Sequence, residues 1–202
     1  MGKNIVFDAA GVLVEWDPVN WFAGHYGKEL GAQVLAAAMG SDYWFQNVDW
    51  GFVTEDELFR HQAEANPHLR KELEELDRIW HTILQPKADT EDLIRRLKKG
   101  GHRIYYLSNF PERTFRKLLE TVPAFGLMDG GVVSYDVHQV KPNPDIYQTL
   151  LNRYQLEAKD TVFTDDTSIN VEGAQKVGIH AWHFTGAAGF EWYLKNDLGL
   201  EF

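Results

Sequence analysis

Near its start the chain carries three consecutive apolar residues, Ile5-Val6-Phe7, which run into Asp8, two alanines and Gly11. So short an unbroken apolar run, closed by small residues and a glycine, is the pattern of a parallel strand buried on both faces. It predicts a tight turn that presents Asp8 at the strand's carboxyl end. Open α/β sheets place their chemistry on that edge.

From Asp17-Pro18 to about residue 86 the apolar spacing is helical and strand signals are absent. Asp17 suits an N-cap and Pro18 a first helical turn. Residues 28–39 predict a second helix ended by Gly40. Thr54-Glu55-Asp56-Glu57 has the form of a capping box, with Val53 and Leu58 placed as a hydrophobic staple. After Pro67, the positions Leu69, Leu73, Leu76, Ile79, Trp80 and Ile83 predict one long helix. This stretch is also rich in aromatic residues. Most suit the interior of a small helical bundle. Trp44-Phe45 and Asp49-Trp50-Gly51, between helices, are the candidates to face a substrate.

Beyond Ala88 strands and helices alternate. Strands are expected at 102–107, 130–135, 161–164 and 179–184, and helices at 89–99, 111–122, 145–154 and from 167 to about 178. Alternation at this spacing implies a doubly wound, Rossmann-like parallel α/β sheet with right-handed crossovers. Asp8 and Ser108 lie too far apart for a single crossover, which needs little more than about a dozen residues. Residues 16–86 are therefore expected to form an inserted helical cap, with 1–15 and 87–202 as the α/β core domain.

Composition narrows the partners. Of 202 residues, 44% are apolar and 25% charged, the balance of an ordinary globule, and the net charge is −10. A polyanionic partner is disfavoured, because nucleic-acid binding draws on clustered Lys and Arg. Cysteine is absent, which removes disulfides and thiolate metal sites and leans toward a cytoplasmic location. The longest apolar stretch, residues 34–39, is too short to span a bilayer.

Four polar clusters each follow a predicted strand: Asp8, Ser108-Asn109, Lys141 and Asp165-Asp166. In a parallel sheet their strand ends share one edge, so they converge although scattered along the chain. Together they are complete for phosphoryl transfer. A carboxylate can attack phosphorus only when cations offset the repulsion between anions. Three carboxylates call for a hard divalent ion such as Mg²⁺. Ser108 and Asn109 can hold phosphate oxygens, and Lys141 adds a fixed positive charge.

The segments 7–13 (Phe-Asp-Ala-Ala-Gly-Val-Leu), 107–109 (Leu-Ser-Asn), 140–144 (Val-Lys-Pro-Asn-Pro) and 163–174 (Phe-Thr-Asp-Asp-Thr-Ser-Ile-Asn-Val-Glu-Gly-Ala) resemble the four motifs of the haloacid-dehalogenase-like hydrolase superfamily. The resemblance implies a Mg²⁺-dependent phosphatase acting on a small phosphate ester, with sugar phosphates among the candidates. Asp8 would be the nucleophile that becomes a phospho-aspartate. Asp8, the carbonyl of Ala10, and Asp166 with or without Asp165 would bind Mg²⁺, and Ser108, Asn109 and Lys141 would contact phosphate. Asn170 and Gly173-Ala174 would support the fourth loop. A non-catalytic binding protein, a dehalogenase and a phosphonate-cleaving enzyme are the alternatives. The last two are disfavoured by the intact Asp165-Asp166 pair, by Arg60 as the first arginine of the insertion, and by the lack of a lysine near residue 49.

One departure stands out. Phosphatases of this superfamily usually carry an acid two residues after the nucleophile, and here that residue is Ala10. The leaving alkoxide would then depart poorly protonated, and the rate would depend steeply on its stability, unless His25, His61 or His81 of the insertion supplies a proton.

Overall fold

The computed structural model describes residues 2–40 and 43–202, apart from the side chain of Phe45. Five parallel strands form one sheet: β1 (Asn4–Phe7), β2 (Arg103–Ser108), β3 (Gly130–Val133), β4 (Thr161–Asp165) and β5 (His180–His183), in the order β3-β2-β1-β4-β5. β1 is central, with Asn4 opposite Arg103 on one side and Thr161 on the other. Its residues are buried on both faces. Ile5 and Phe7 join the larger apolar cluster, and Val6 faces a second cluster with Tyr147, Leu150 and Phe163. This alternation follows from the strand period of two. Each of these side chains gains roughly 1.5–3 kcal/mol from burial.

Between β1 and α5 (Ala88–Lys99) lie α1 (Pro18–Tyr26), α2 (Lys28–Met39), α3 (Glu55–Ala65) and α4 (Arg70–Ile79). Asp17 caps α1 by accepting from the Asn20 N–H at 3.2 Å, and the Thr54/Glu57 capping box opens α3 as expected. Gly40 does end α2, but at φ −73°, so left-handed freedom is not what it supplies; a Cβ there would lie 2.3 Å from the Ala36 carbonyl oxygen. The single long helix expected after Pro67 is divided. Short 3₁₀ turns at Pro67–Leu69 and Trp80–Ile83 flank α4. Over one turn, periods of 3.0 and 3.6 place the same residues inward, so apolar spacing does not separate them.

The chain leaves and re-enters the sheet layer at one place. The Glu15 N–H donates to the Gln85 carbonyl at 2.7 Å, and the Lys87 N–H to that of Leu13 at 2.9 Å. α6 (Glu112–Thr121) is tied to the helical segment through Arg113, which bonds to Asp56 and, at 2.6 Å, to Asp77. Beside it the buried Glu55 accepts the Thr114 N–H at 3.0 Å.

The remaining helices are α7 (Ser134–Val137), α8 (Pro144–Tyr154), α9 (Ser168–Lys176) and α10 (Ala187–Asn196). Two differ from expectation. The strand expected over 130–135 stops at Val133, and Ser134 and Tyr135 turn into α7. α10 forms where the sequence predicts no helix; its Phe190 packs edge-on against Phe7 at 5.6 Å and so covers the central strand.

Candidate active site

All four predicted clusters meet at the carboxyl edge of the sheet. Asp8 follows β1 and is buried, and its Oδ1 accepts from the Ala9 N–H (2.7 Å), the Ser108 hydroxyl (2.6 Å) and Lys141 Nζ (2.8 Å). No hydrogen bond reaches its second oxygen, Oδ2, among the described residues. Lys141, on the loop before α8, is itself buried and also bonds to Asp165 Oδ2 at 2.6 Å. Asn109 clamps the lysine's backbone: its Oδ1 accepts the Lys141 N–H at 2.9 Å and its Nδ2 donates to the Lys141 carbonyl at 3.0 Å. That side-chain amide therefore positions Lys141, a part the sequence did not assign to it.

The paired aspartates have separate environments. Asp165 is fully buried and saturated by Lys141 Nζ, the Thr167 N–H at 2.8 Å and the Asn170 amide at 3.1 Å to each oxygen. Asn170 thus supports the loop, as its place in the fourth motif suggested. Gly173 lets α9 approach the loop after Lys141, since a Cβ there would lie 2.7 Å from the Pro142 carbonyl oxygen. Asp166 is more exposed, and its carboxylate sits over Gly11, where φ is +73° and an added Cβ would lie 2.1 Å from Asp166 Oδ2. Gly11→Ala is expected to cost at least about 1–2 kcal/mol from the backbone conformation alone, and to displace Asp166. Chemical denaturation checks this, and a variant as stable as the parent would refute it.

The electrostatics call for another cation. Burial, reinforced by the Asp165 charge, pushes the Asp8 carboxyl up to about 7, although Lys141 and Ser108 oppose the shift. Burial also raises Asp166, with Asp165 adding to the effect. Burial would lower Lys141, but attraction to Asp165 and Asp8 more than offsets it, and the net shift is upward. Asp8, Asp165 and Asp166 offer oxygens within 4.8 Å of one another. Three carboxylates against one ammonium, all hard oxygen donors, fit a Mg²⁺ ion.

Above this edge lies a cavity of about 310 Å³, lined by Asp8, Ala10, Ser108, Asn109, Lys141 and Asp166 on one side and by Trp16, Met39, Trp44, Asp49, Trp80 and Leu84 on the other. Of the residues expected to face a substrate, Trp44 and Asp49 do so, whereas Trp50 and Gly51 are absent from this lining; the Phe45 side chain lies outside the described residues. A π-helical turn over Trp44–Val48 brings the indole and the acid together, and Trp44 Nε1 donates to Asp49 Oδ1 at 3.2 Å. Burial holds the Asp49 carboxyl up at about 7, with the Trp44 hydrogen bond opposing. Among the described residues no histidine lines the cavity. His25 stacks on Trp21, His61 stacks on Tyr43, and His81 lies on the outer surface. The sequence marks Asp49 as a candidate to face a substrate but carries no sign of its raised pKa. Its place five residues after Trp44 is no signal without the turn that joins them.

No helix among the described residues is long and apolar enough to cross a membrane. A family model described as haloacid dehalogenase-like hydrolase matches residues 3–178. The chain is 29% identical over 198 residues to a sesquiterpene phosphatase of Aspergillus oryzae, covering 98% of this chain and 97% of that protein. It is 27% identical to a D-ribitol-5-phosphate phosphatase of Bacteroides thetaiotaomicron, over 95% of each. Its fold matches that of a HAD-family enzyme of the same bacterium, solved with magnesium and inorganic phosphate, at a TM-score of 0.74 with 23% identity, over 90% of this chain and 93% of that one. It also matches L-2-haloacid dehalogenase of Xanthobacter autotrophicus at a TM-score of 0.69 with 18% identity, over 90% and 76%.

Proposed function

The chain belongs to the haloacid dehalogenase-like hydrolases, and from that premise we propose that it is a Mg²⁺-dependent phosphatase which hydrolyses the monoester of a small metabolite through a phospho-aspartate on Asp8. The observation that carries the reading is Asp8 itself: one oxygen held by Ser108 and Lys141, the other without a protein partner, at the floor of a cavity. Two relatives, the sesquiterpene phosphatase and the D-ribitol-5-phosphate phosphatase, differ in the alcohol that their names specify and share the phosphate. Dehalogenation is not supported: Arg60 is exposed, and no arginine lines the cavity.

Asp8 attacks phosphorus, the bond from phosphorus to the ester oxygen breaks, and the alcohol leaves. Lys141 and the Ser108 hydroxyl stabilise the charge that gathers on the phosphoryl oxygens. Asp49, protonated before the step, gives its proton to the departing alkoxide and then takes one from the water that opens the acyl phosphate, which restores both carboxyls. Asp8, the Ala10 carbonyl and Asp166 would hold Mg²⁺, which would supply the positive charge that lets a carboxylate approach a phosphate. Asp165, with its oxygens already occupied, holds Lys141 and the loop in place. Residues 16–86 act as a cap that excludes water over Asp8. The cysteine-free composition fits an enzyme of the cytoplasm.

Phosphate release from a panel of esters, with Mg²⁺ and with chelator, tests the reading; no release from any ester would overturn it. Asp166→Asn is expected to raise the Mg²⁺ needed for half-maximal activity by at least about tenfold, the loss seen when even a ligand's hydrogen-bonding partner is removed. An unshifted titration would place the ion elsewhere.

A further inference from the structure

The catalytic cavity has two unlike ends. Away from the carboxylates and Lys141 the lining is largely apolar, Trp16, Met39, Trp44, Trp80 and Leu84, with Asp49 the acid among them, and Ile169, also in the lining, is 54% exposed. A polyhydroxylated alcohol seated there would surrender its hydroxyls' water for indole and aliphatic surface, and each unpaired hydroxyl would weaken binding. A hydrocarbon would gain by the same exchange.

The apolar surface continues beyond this wall. A groove of about 770 Å³ runs between α1 and α2, and Trp16 and Met39 line it as well as the catalytic cavity. Val19, Leu35 and Ala36 face it, and Lys28 is the one charged residue in its lining among the described residues. Five large apolar side chains are conspicuously exposed among the described residues, and two of them, Ile169 and Val19, mark this cavity and this groove. Exposed apolar side chains that line a cavity or groove mark a binding site.

We infer that the preferred substrates are phosphate monoesters of alcohols bearing an extended hydrocarbon chain, and that the chain passes Trp16 and Met39 to lie in the groove between α1 and α2. The inference rests on the phosphatase reading above and assigns its substrate class. The two lining residues shared with the catalytic cavity, Trp16 and Met39, identify the occupant: a chain attached to a phosphate on Asp8 reaches the groove past these two side chains. The Trp16 and Met39 side chains then set how much chain is accommodated.

The test is kcat/KM for butyl, octyl and dodecyl phosphate, each below its micelle concentration, beside a hexose 6-phosphate and p-nitrophenyl phosphate. Full burial of one methylene is worth about fourfold in affinity, so each step in chain length is expected to raise kcat/KM by at least about tenfold, with the hexose phosphate slower than octyl phosphate. Ala36→Trp, on the exposed face of α2, fills the groove, and the dodecyl-to-octyl ratio is expected to fall to about one. Failure to hydrolyse any of the five esters would defeat the phosphatase reading itself. Hydrolysis with no dependence on chain length, or with the hexose phosphate preferred, would overturn the inference and leave that reading standing. An undiminished dodecyl preference in Ala36→Trp would show that the chain lies elsewhere. Sedimentation that finds a dimer in the parent and a monomer in the variant would assign the groove to a second copy of the chain instead.

Discussion

Asp8→Asn is expected to lower phosphate release by at least about 10⁴-fold, toward the background rate, as removal of a single covalent nucleophile does elsewhere. The amide has nearly the shape of the carboxylate, so its oxygen can still accept from Ser108 and Lys141, and Lys141 keeps its bond to Asp165. What disappears is the negative oxygen that faces the cavity. The fold should persist, because the loop is also held by the Asp8 N–H donating to the Thr164 carbonyl at 3.0 Å and by three amides converging on the Ala9 carbonyl. Rapid-quench assays should find no acid-stable trapped phosphoenzyme. Substantial turnover, with the melting profile of the parent, would refute a phospho-aspartate.

The second large effect is expected at Asp49. Ala10 cannot supply a proton, no histidine among the described residues lines the cavity, and Asp49 is a buried acid on the wall opposite the nucleophile. Its carboxyl is held up to about 7 chiefly by burial; the Glu55 charge adds to the shift, while Trp44 and Lys141 oppose it. A large share of the enzyme therefore carries the proton at neutral pH, the condition under which general acid catalysis is efficient. Asp49→Asn should cost alkyl phosphates about 10²- to 10⁴-fold and p-nitrophenyl phosphate far less, since its leaving group needs no proton. The parent would show a shallow dependence on leaving-group acidity and the variant the steep one that Ala10 alone would impose. Adding Ala10→Asp to the variant should flatten it again. As pH rises through about 7 the parent loses its proton donor, so the alkaline fall in kcat for alkyl esters should vanish in the variant. Stability supplies a control. An acid whose pKa is raised by folding contributes stability fully present below its unfolded value, near 4, and lost as pH rises through about 7. Asparagine has no such loss, so the variant should melt no lower than the parent at pH 8. Equal leaving-group slopes in the two proteins would remove Asp49 from the proton path.

Much of this site could be read from the chain because each cluster announces itself locally. Apolar residues ending in Asp8, in Ser108 and in Asp165 declare strand ends, and a parallel sheet does the rest. Asp49 is marked only as a residue between helices, with nothing to show that it is an acid held protonated. Its acidity depends on being enclosed, and enclosure is a property of helices packed around it, not of its neighbours in sequence. The same holds for the apolar wall, whose members from Trp16 to Ile169 belong to segments with no common pattern. α10 is harder to read for a different reason: Gly186 and Gly189 interrupt its start, and its helical signals, the spacing of Phe190 with Leu194 and of Glu191 with Lys195, span a single turn. The exchange of strand for helix at Ser134 follows from one-residue boundaries that β-propensity does not resolve.

The central position of β1 has a consequence in time. A ribosome makes this strand first among the five, but its two neighbours come much later: Ser108 lies 100 residues after Asp8, and Thr161 lies 157 after Asn4. At about 5–20 residues per second, roughly ten to thirty seconds pass before both partners exist. During that interval Ile5, Val6 and Phe7 form a short apolar segment with no sheet to join, the kind of exposure that favours aggregation and engages chaperones. The helices between β1 and β2 contact mainly near neighbours and can form meanwhile. The strand that carries the nucleophile is thus expected to be the first of the five synthesised and among the last to reach its final place.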